Sequence, residues 1–193
     1  REEYAEVVEA FVLTDEKIDQ SPVGSRTLYL GGLALSQMGL HRQAIKAFQR
    51  ALATPTVRAD GNQEEQVLVA LSRSYMHNLD LFRARQTLEY QAALYPKGQR
   101  IGEMWLLRGE VEEVAKRPDR AISAYTQASK LLKEEIQRAN VLLRIGRLES
   151  ARGASGSAAS VLGRAVALFD RVDAEQVLPG HLDAIFEMGD SFY

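Results

Sequence analysis

Three histidines, a glycine-rich stretch and a row of basic residues are the first places to look for chemistry in this sequence. His41, His77 and His181 lie far apart and match no metal-ligand spacing. His41 and His77 fall beside expected chain reversals, where a solvent-exposed or capping role is the ordinary one. The stretch Gly153-Ala154-Ser155-Gly156-Ser157 has the composition of a phosphate cradle. It lacks the lysine and the preceding strand of a P-loop, so it reads as a flexible turn. Arg42, Lys46 and Arg50 recur every four residues and form one basic stripe, read as a solvated outer helix face. Carboxylates are abundant, as on any helix surface. The sequence is therefore read as non-enzymatic, with no catalytic residue, cofactor or metal assigned.

Bulk properties narrow the partners. In 193 residues, 46% are hydrophobic, enough for a substantial core. Lysine plus arginine number 24 against 26 acidic residues, a balance that argues against nucleic acid as the main ligand. There are no cysteines, which excludes disulfides and thiolate metal sites. No apolar run approaches the roughly 18 residues of a membrane span, so no direct membrane insertion is expected. The chain begins at Arg1 and shows no charged-plus-apolar leader, so it is read as a piece of a longer protein. Its localisation stays open between periplasm and cytoplasm.

What the sequence does carry is repetition. Four times an alanine is followed four residues later by a bulky side chain and preceded by twelve residues by glycine or serine. The sets are Gly32-Ala44-Phe48, Ser72-Ala84-Leu88, Gly109-Ala121-Tyr125 and Gly146-Ala158-Leu162, with alanines 40, 37 and 37 residues apart. Such a period predicts an all-α fold, an α-solenoid of stacked antiparallel helical hairpins with about nine to ten helices. Glycine costs about 1 kcal/mol relative to alanine inside a helix, so its return mid-helix requires a packing reason. The reading is that glycine or serine on the first helix faces alanine on the second. Leu28, Leu68, Trp105 and Leu142, with Phe48, Leu88, Tyr125 and Leu162, then fill the space between hairpins.

Apolar spacing and breakers place the elements. A single array over 1–193 is expected. It has an N-terminal helix within 1–20, and hairpins at 25–53, 63–95, 101–133 and 136–171. Their helices are 25–38 with 41–53, 63–77 with 80–95, 101–115 with 119–133, and 136–152 with 156–171. The first helix of a further, incomplete repeat is expected at 179–193. Gly39, Asn78 and Gly153 mark turns, Asp80 caps the following helix, and Pro55, Pro96 and Pro179 fall in connections. Thr54 to Asn62 reads as a polar linker that lengthens the first period.

These residues resemble the tetratricopeptide repeat (TPR) family, in its divergent bacterial form. Gly32, Gly39, Ala44, Phe48 and Ala51 match its small, turn and Ala-x3-Phe-x2-Ala positions. Trp105, Gly109, Ala121, Tyr125 and Ala128 match in the third hairpin. Leu68, Leu71, Tyr75, Ala84 and Pro96 match in the second, and Ala158, Leu162 and Ala165 in the fourth. The family's period is about 34 residues, shorter than the one here. Glu112 and Glu149 replace the usual tyrosine, and Gly31 and Arg108 the leucine beside the small residue.

The resemblance implies a right-handed solenoid that binds a partner polypeptide in a concave groove lined by first helices. The residues expected to face that groove are Tyr29, Val69, Leu106, Leu143 and Phe186, with Arg73, Glu110 and Arg147 one turn further on; Leu33 and Asp190 share the latter register. The apolar set either contacts a ligand or extends the core. The charged set is read as pairing between adjacent first helices. The groove lacks the lysine-and-asparagine set with which some relatives clamp a C-terminal carboxylate. The stretch from Ala93 to Lys97 (ALYPK) is similar to repeats of bacterial envelope proteins in outer-membrane assembly or polysaccharide export. The leading expectation is thus an interaction scaffold with a protein or peptide partner. The alternatives are a peptide- or effector-sensing module attached to an output domain, and a spacer. Self-association through the last helix is a further expectation.

Overall fold

Four chain reversals share one backbone arrangement. In each, an amide bonds back to the carbonyl five residues earlier: Leu40 to Leu35, Asp80 to Tyr75, Arg117 to Glu112 and Ala154 to Glu149, all at 2.9 Å. This closes a helix whose last residue turns left-handed. Gly39 and Gly153 fill that left-handed position at φ 79° and 80°. In the other two turns it falls to Leu79 (φ 61°) and Lys116 (φ 58°). Asn78, expected at this turn, stands there as the cap residue with an ordinary φ of −81°.

The structure, a computed structural model, describes residues 24–171 and 174–190. Every regular element among them is an α-helix. The expected helix within 1–20 lies outside the described residues, as do Phe192 and Tyr193. The chain divides into two compact units, residues 1–100 and 101–193. The first holds α1 (Gly24–Gln37), α2 (His41–Ala53), α3 (Pro55–Ala59), α4 (Gly61–His77) and α5 (Leu81–Leu94). The second holds α6 (Ile101–Val114), α7 (Pro118–Leu131), α8 (Glu135–Ala151), α9 (Ser155–Phe169) and α10 (Ala174–Asp190). α1 pairs with α2, α4 with α5, α6 with α7 and α8 with α9.

The small residues do their work differently from the sequence reading. A Cβ built on Gly32 would stand 2.6 Å from Phe48, on Gly109 2.3 Å from Tyr125, and on Gly146 2.4 Å from Leu162. The glycine therefore makes room for the bulky residue of its own hairpin, sixteen positions on. Phe48, Tyr125 and Leu162 are fully buried there, so they bind two helices of one hairpin together, and Tyr125 also packs in one core with the next hairpin. Ser72 and Leu88 occupy the same slots in the second hairpin, both fully buried. Ala44, Ala84, Ala121 and Ala158 are also fully buried, where any larger side chain would force the helices apart.

Three other expectations are corrected. The segment after Thr54 is not a linker throughout. Pro55 opens the short helix α3, and its Val57 is buried against the neighbouring helices. Trp105 is only half-buried, with the Arg108 guanidinium 5.1 Å from its ring centre. It packs against the second unit's core from the edge, while Met104 and Leu107 are the fully buried residues of this stretch of α6. The last helix starts at Ala174 and runs through Pro179, which was expected in a connection. Gly180 explains the close seat of that helix: a Cβ there would meet Phe169 at 3.0 Å and Asn140 at 3.1 Å.

Buried polar residues close the ends of the hairpins. Glu112 and Glu149 hold the slot that Tyr75 fills in the second hairpin, and both are buried. Glu112 pairs with Arg117 at 3.7 Å; Glu149 pairs with Arg152, which also reaches Asp119 at 3.0 Å. In the first unit, Glu64 and Glu65 at the start of α4 tie down the loop after α5. The Tyr95 hydroxyl donates to Glu64 at 2.5 Å, and the Arg100 amide donates to Glu65 at 2.9 Å. Burial and that bond to Glu64 push the Tyr95 hydroxyl well above its ordinary pKa. The ALYPK signature is thus a structural clasp in this chain.

The glycine slot makes a direct prediction. Gly109→Ala gains about 1 kcal/mol of helix propensity but overpacks Tyr125 by an amount that outweighs it. Net destabilisation of about 1–2 kcal/mol in urea unfolding is expected. Gly156→Ala, in open space on α9, should stabilise by about 0.5–1 kcal/mol.

Candidate functional site

First-helix faces are where the sequence places a ligand, and the two units present different versions. In the first unit, Tyr29 is half-buried on α1, its ring centre 6.1 Å from that of Phe48. Val69 on α4 is 7% exposed and belongs mostly to the packing, while Arg73 one turn on is exposed. Beside Tyr29 opens a cavity of about 360 Å³ between α1, α3 and α4. Ser25, Arg26 and Tyr29 line one side, Asn62, Gln63 and Gln66 the other, and Val57 and Val67 lie at its apolar wall. Its polar and apolar surfaces are balanced, the composition of a site that holds both main chain and side chains.

Local sequence builds that cavity. The residues that lengthen the first period form α3, and Val57 wedges it against the core. Asp60 then starts α4 by accepting from the Asn62 and Gln63 amides at 3.0 and 3.3 Å. That cap fixes the first turn of α4, so the side chains of Asn62, Gln63 and Gln66 project beside α1. Periodicity did not reveal these residues, because Asn62 sits in the insertion, and Gln63 and Gln66 precede Leu68, the first repeated slot of α4.

In the second unit the same register is largely occupied by the protein itself. Leu106 packs against the core, and Leu143 is 5% exposed. Glu110 pairs with Arg144 at 3.3 Å. Arg144 also reaches Glu113 at 3.4 Å and the Tyr125 hydroxyl at 3.1 Å; that hydroxyl donates to Glu113 at 2.6 Å. Burial and the bond to Glu113 raise the Tyr125 hydroxyl far above its usual pKa. Arg144 was missed in the sequence because it is an isolated arginine with no repeat partner. Arg147 bridges to Asp183 at 2.9 Å and Glu187 at 3.1 Å on α10. Phe186, on the same helix, is 71% exposed.

The histidines resolve into a pair and a residue whose side chain lies outside the description, His181. The His41 and His77 rings stack with centres 5.0 Å apart, across the first two hairpins. His41 Nδ1 is buried without a hydrogen-bond partner among the described residues. No group of three or more metal-ligating side chains occurs among the described residues, and no described helix is long and apolar enough to cross a membrane.

Neither a protein-family model nor a curated protein sequence matches the chain. Solved structures do. The crystal structure of MamA superposes with a TM-score of 0.67 at 18% identity, covering 85% of this chain and 87% of that one. BtubC (BKLC) from P. vanneervenii superposes at 0.74 and 15% identity, covering 98% of this chain and 80% of that one. A chain of the APC/C hetero-tetramer Cut9-Hcn1 superposes at 0.54 and 17% identity, covering 97% of this chain and 40% of its own. The fold is TPR-like: an all-α solenoid of helical hairpins.

Burial, and then the neighbouring His77, lower the pKa of His41 from 6.5. The folded state therefore binds fewer protons than the unfolded state, and stability falls as pH drops through that value. His41→Gln should flatten this dependence, measured as the difference in melting temperature between about pH 7.5 and 5.5 for the two proteins.

Proposed function

We propose that this chain is a non-catalytic interaction scaffold that holds an extended segment of a partner polypeptide on its first-helix faces. The cavity beside Tyr29 is the observation that carries this reading. Three amide side chains on one wall and an aromatic ring on the other suit a peptide: amides bond its backbone, and the ring covers a side chain. Arg26 and Asp60 both line the cavity, one charge of each sign, which suits a polar segment carrying both signs. The wider set in the same register is Tyr29, Val69, Arg73, Leu106, Glu110, Leu143, Arg147 and Phe186. Within it, Val69 and Leu143 act as a floor, and Glu110 and Arg147 keep the second unit's helices in register. The TPR-like fold of MamA and of the Cut9-Hcn1 chain supports a scaffold. The ALYPK similarity makes a bacterial envelope assembly or export system the setting we favour, with an effector-sensing module as the second reading.

Peptide display against the 193-residue chain tests the reading. Peptides enriched on the wild type should bind Tyr29→Ala with Gln66→Ala at least about tenfold more weakly, while circular dichroism stays unchanged. Failure to enrich any peptide, or equal binding to the double variant, would contradict it.

A further inference from the structure

Where two turns of the first unit come together, the surface is apolar and rimmed by cations. Leu79 is 75% exposed and Phe82 66% exposed. Met38 and Leu40, in the neighbouring turn, are 41% and 38% exposed. The stacked His41 and His77 rings hold the two turns side by side. Leu79 also occupies the left-handed position that Gly39 fills in the first turn. A branched side chain is disfavoured there, and this one lies mostly in solvent instead of in the core. Folding alone gives no reason for leucine at this point.

The charge around it has one sign. Arg42 and Lys46 on α2, Arg73 on α4 and Arg83 on α5 all stand within a turn or two of this edge. From Ser36 to Lys46 and from Arg73 to Arg85 the sequence holds one carboxylate, Asp80. Asp80 is engaged locally: it caps the Arg83 amide at 3.1 Å and pairs with the Arg83 guanidinium at 3.5 Å.

We propose that this edge is a docking surface for an anionic phospholipid bilayer, on which the chain lies without spanning it. Apolar side chains exposed on adjacent turns can enter the headgroup region one by one, and the surrounding cations meet lipid phosphates. A specific protein partner of ordinary size buries about 800 Å² per side, more than four side chains on two turns offer. Leu79, Phe82, Arg42 and Lys46, the residues varied below, take no part in the peptide cavity, so the two readings stand or fall separately.

Co-sedimentation of the 193-residue chain with vesicles decides it. Vesicles of phosphatidylcholine with phosphatidylserine should carry the chain down at low salt, pure phosphatidylcholine much less, and high salt should release it. Leu79→Gly with Phe82→Ser should weaken partition at least about tenfold while helicity and melting persist, since glycine suits the left-handed turn and Phe82 is exposed. Arg42→Glu with Lys46→Glu should abolish the preference for anionic vesicles. The proposal is overturned if the wild type ignores phosphatidylserine vesicles at low salt, or if the Leu79/Phe82 variant binds them equally. It is also overturned if that variant loses only self-association in light scattering, which would make a second copy the occupant.

Discussion

The structure depends on one steric constraint: a bulky side chain must sit on a helix backbone that carries no Cβ. Phe48 over Gly32, Tyr125 over Gly109 and Leu162 over Gly146 are the same contact made three times, each too close for even a methyl group. The glycine gives up helix propensity, and burial of the large residue offsets that loss. Three of the four hairpins are thereby fixed in separation and register by one contact, and the second uses buried Ser72 against Leu88 in the same slots. The buried alanines set how closely the flanking turns approach.

From that contact the rest follows by local chemistry. A fixed register puts each first helix's end at the same point, so the same five-residue back-bond closes all four turns. It also brings one slot near each turn into the interior, filled by Leu35, Tyr75, Glu112 and Glu149. Where that slot is glutamate, an arginine from the turn answers it. The units differ in what remains on their first-helix faces. The first has an inserted wedge, α3, and a cavity with an array of amide side chains. The second consumes its charged register in Arg144 and Arg147 bridges. A ligand therefore has more to bind in the first unit than in the second.

Much of this was readable in the sequence because steric rules act on residue type and spacing. Gly32, Gly109 and Gly146 marked the hairpins, and Asp80 marked the start of α5. The bulky neighbour of each glycine was not anticipated, since spacing identifies the small and the large positions without saying which pair touch. α3 was hidden because five residues are too few for a period, and a proline with two threonines resembles a linker. Leu79 was invisible because left-handed backbone is signalled by glycine or asparagine, and Asn78 stood next door. Ion pairs such as Arg144 with Glu110 join isolated residues 34 positions apart, and no local pattern announces them.

The most direct measurement is a double-mutant cycle between Gly146→Ala and Leu162→Ala, followed by urea unfolding. If the glycine exists to seat Leu162, Gly146→Ala should destabilise the native chain yet become neutral or stabilising once Leu162 is truncated. That coupling should exceed about 1 kcal/mol. Additive effects, with coupling near zero, would show that the two helices do not meet through this pair and would contradict the account.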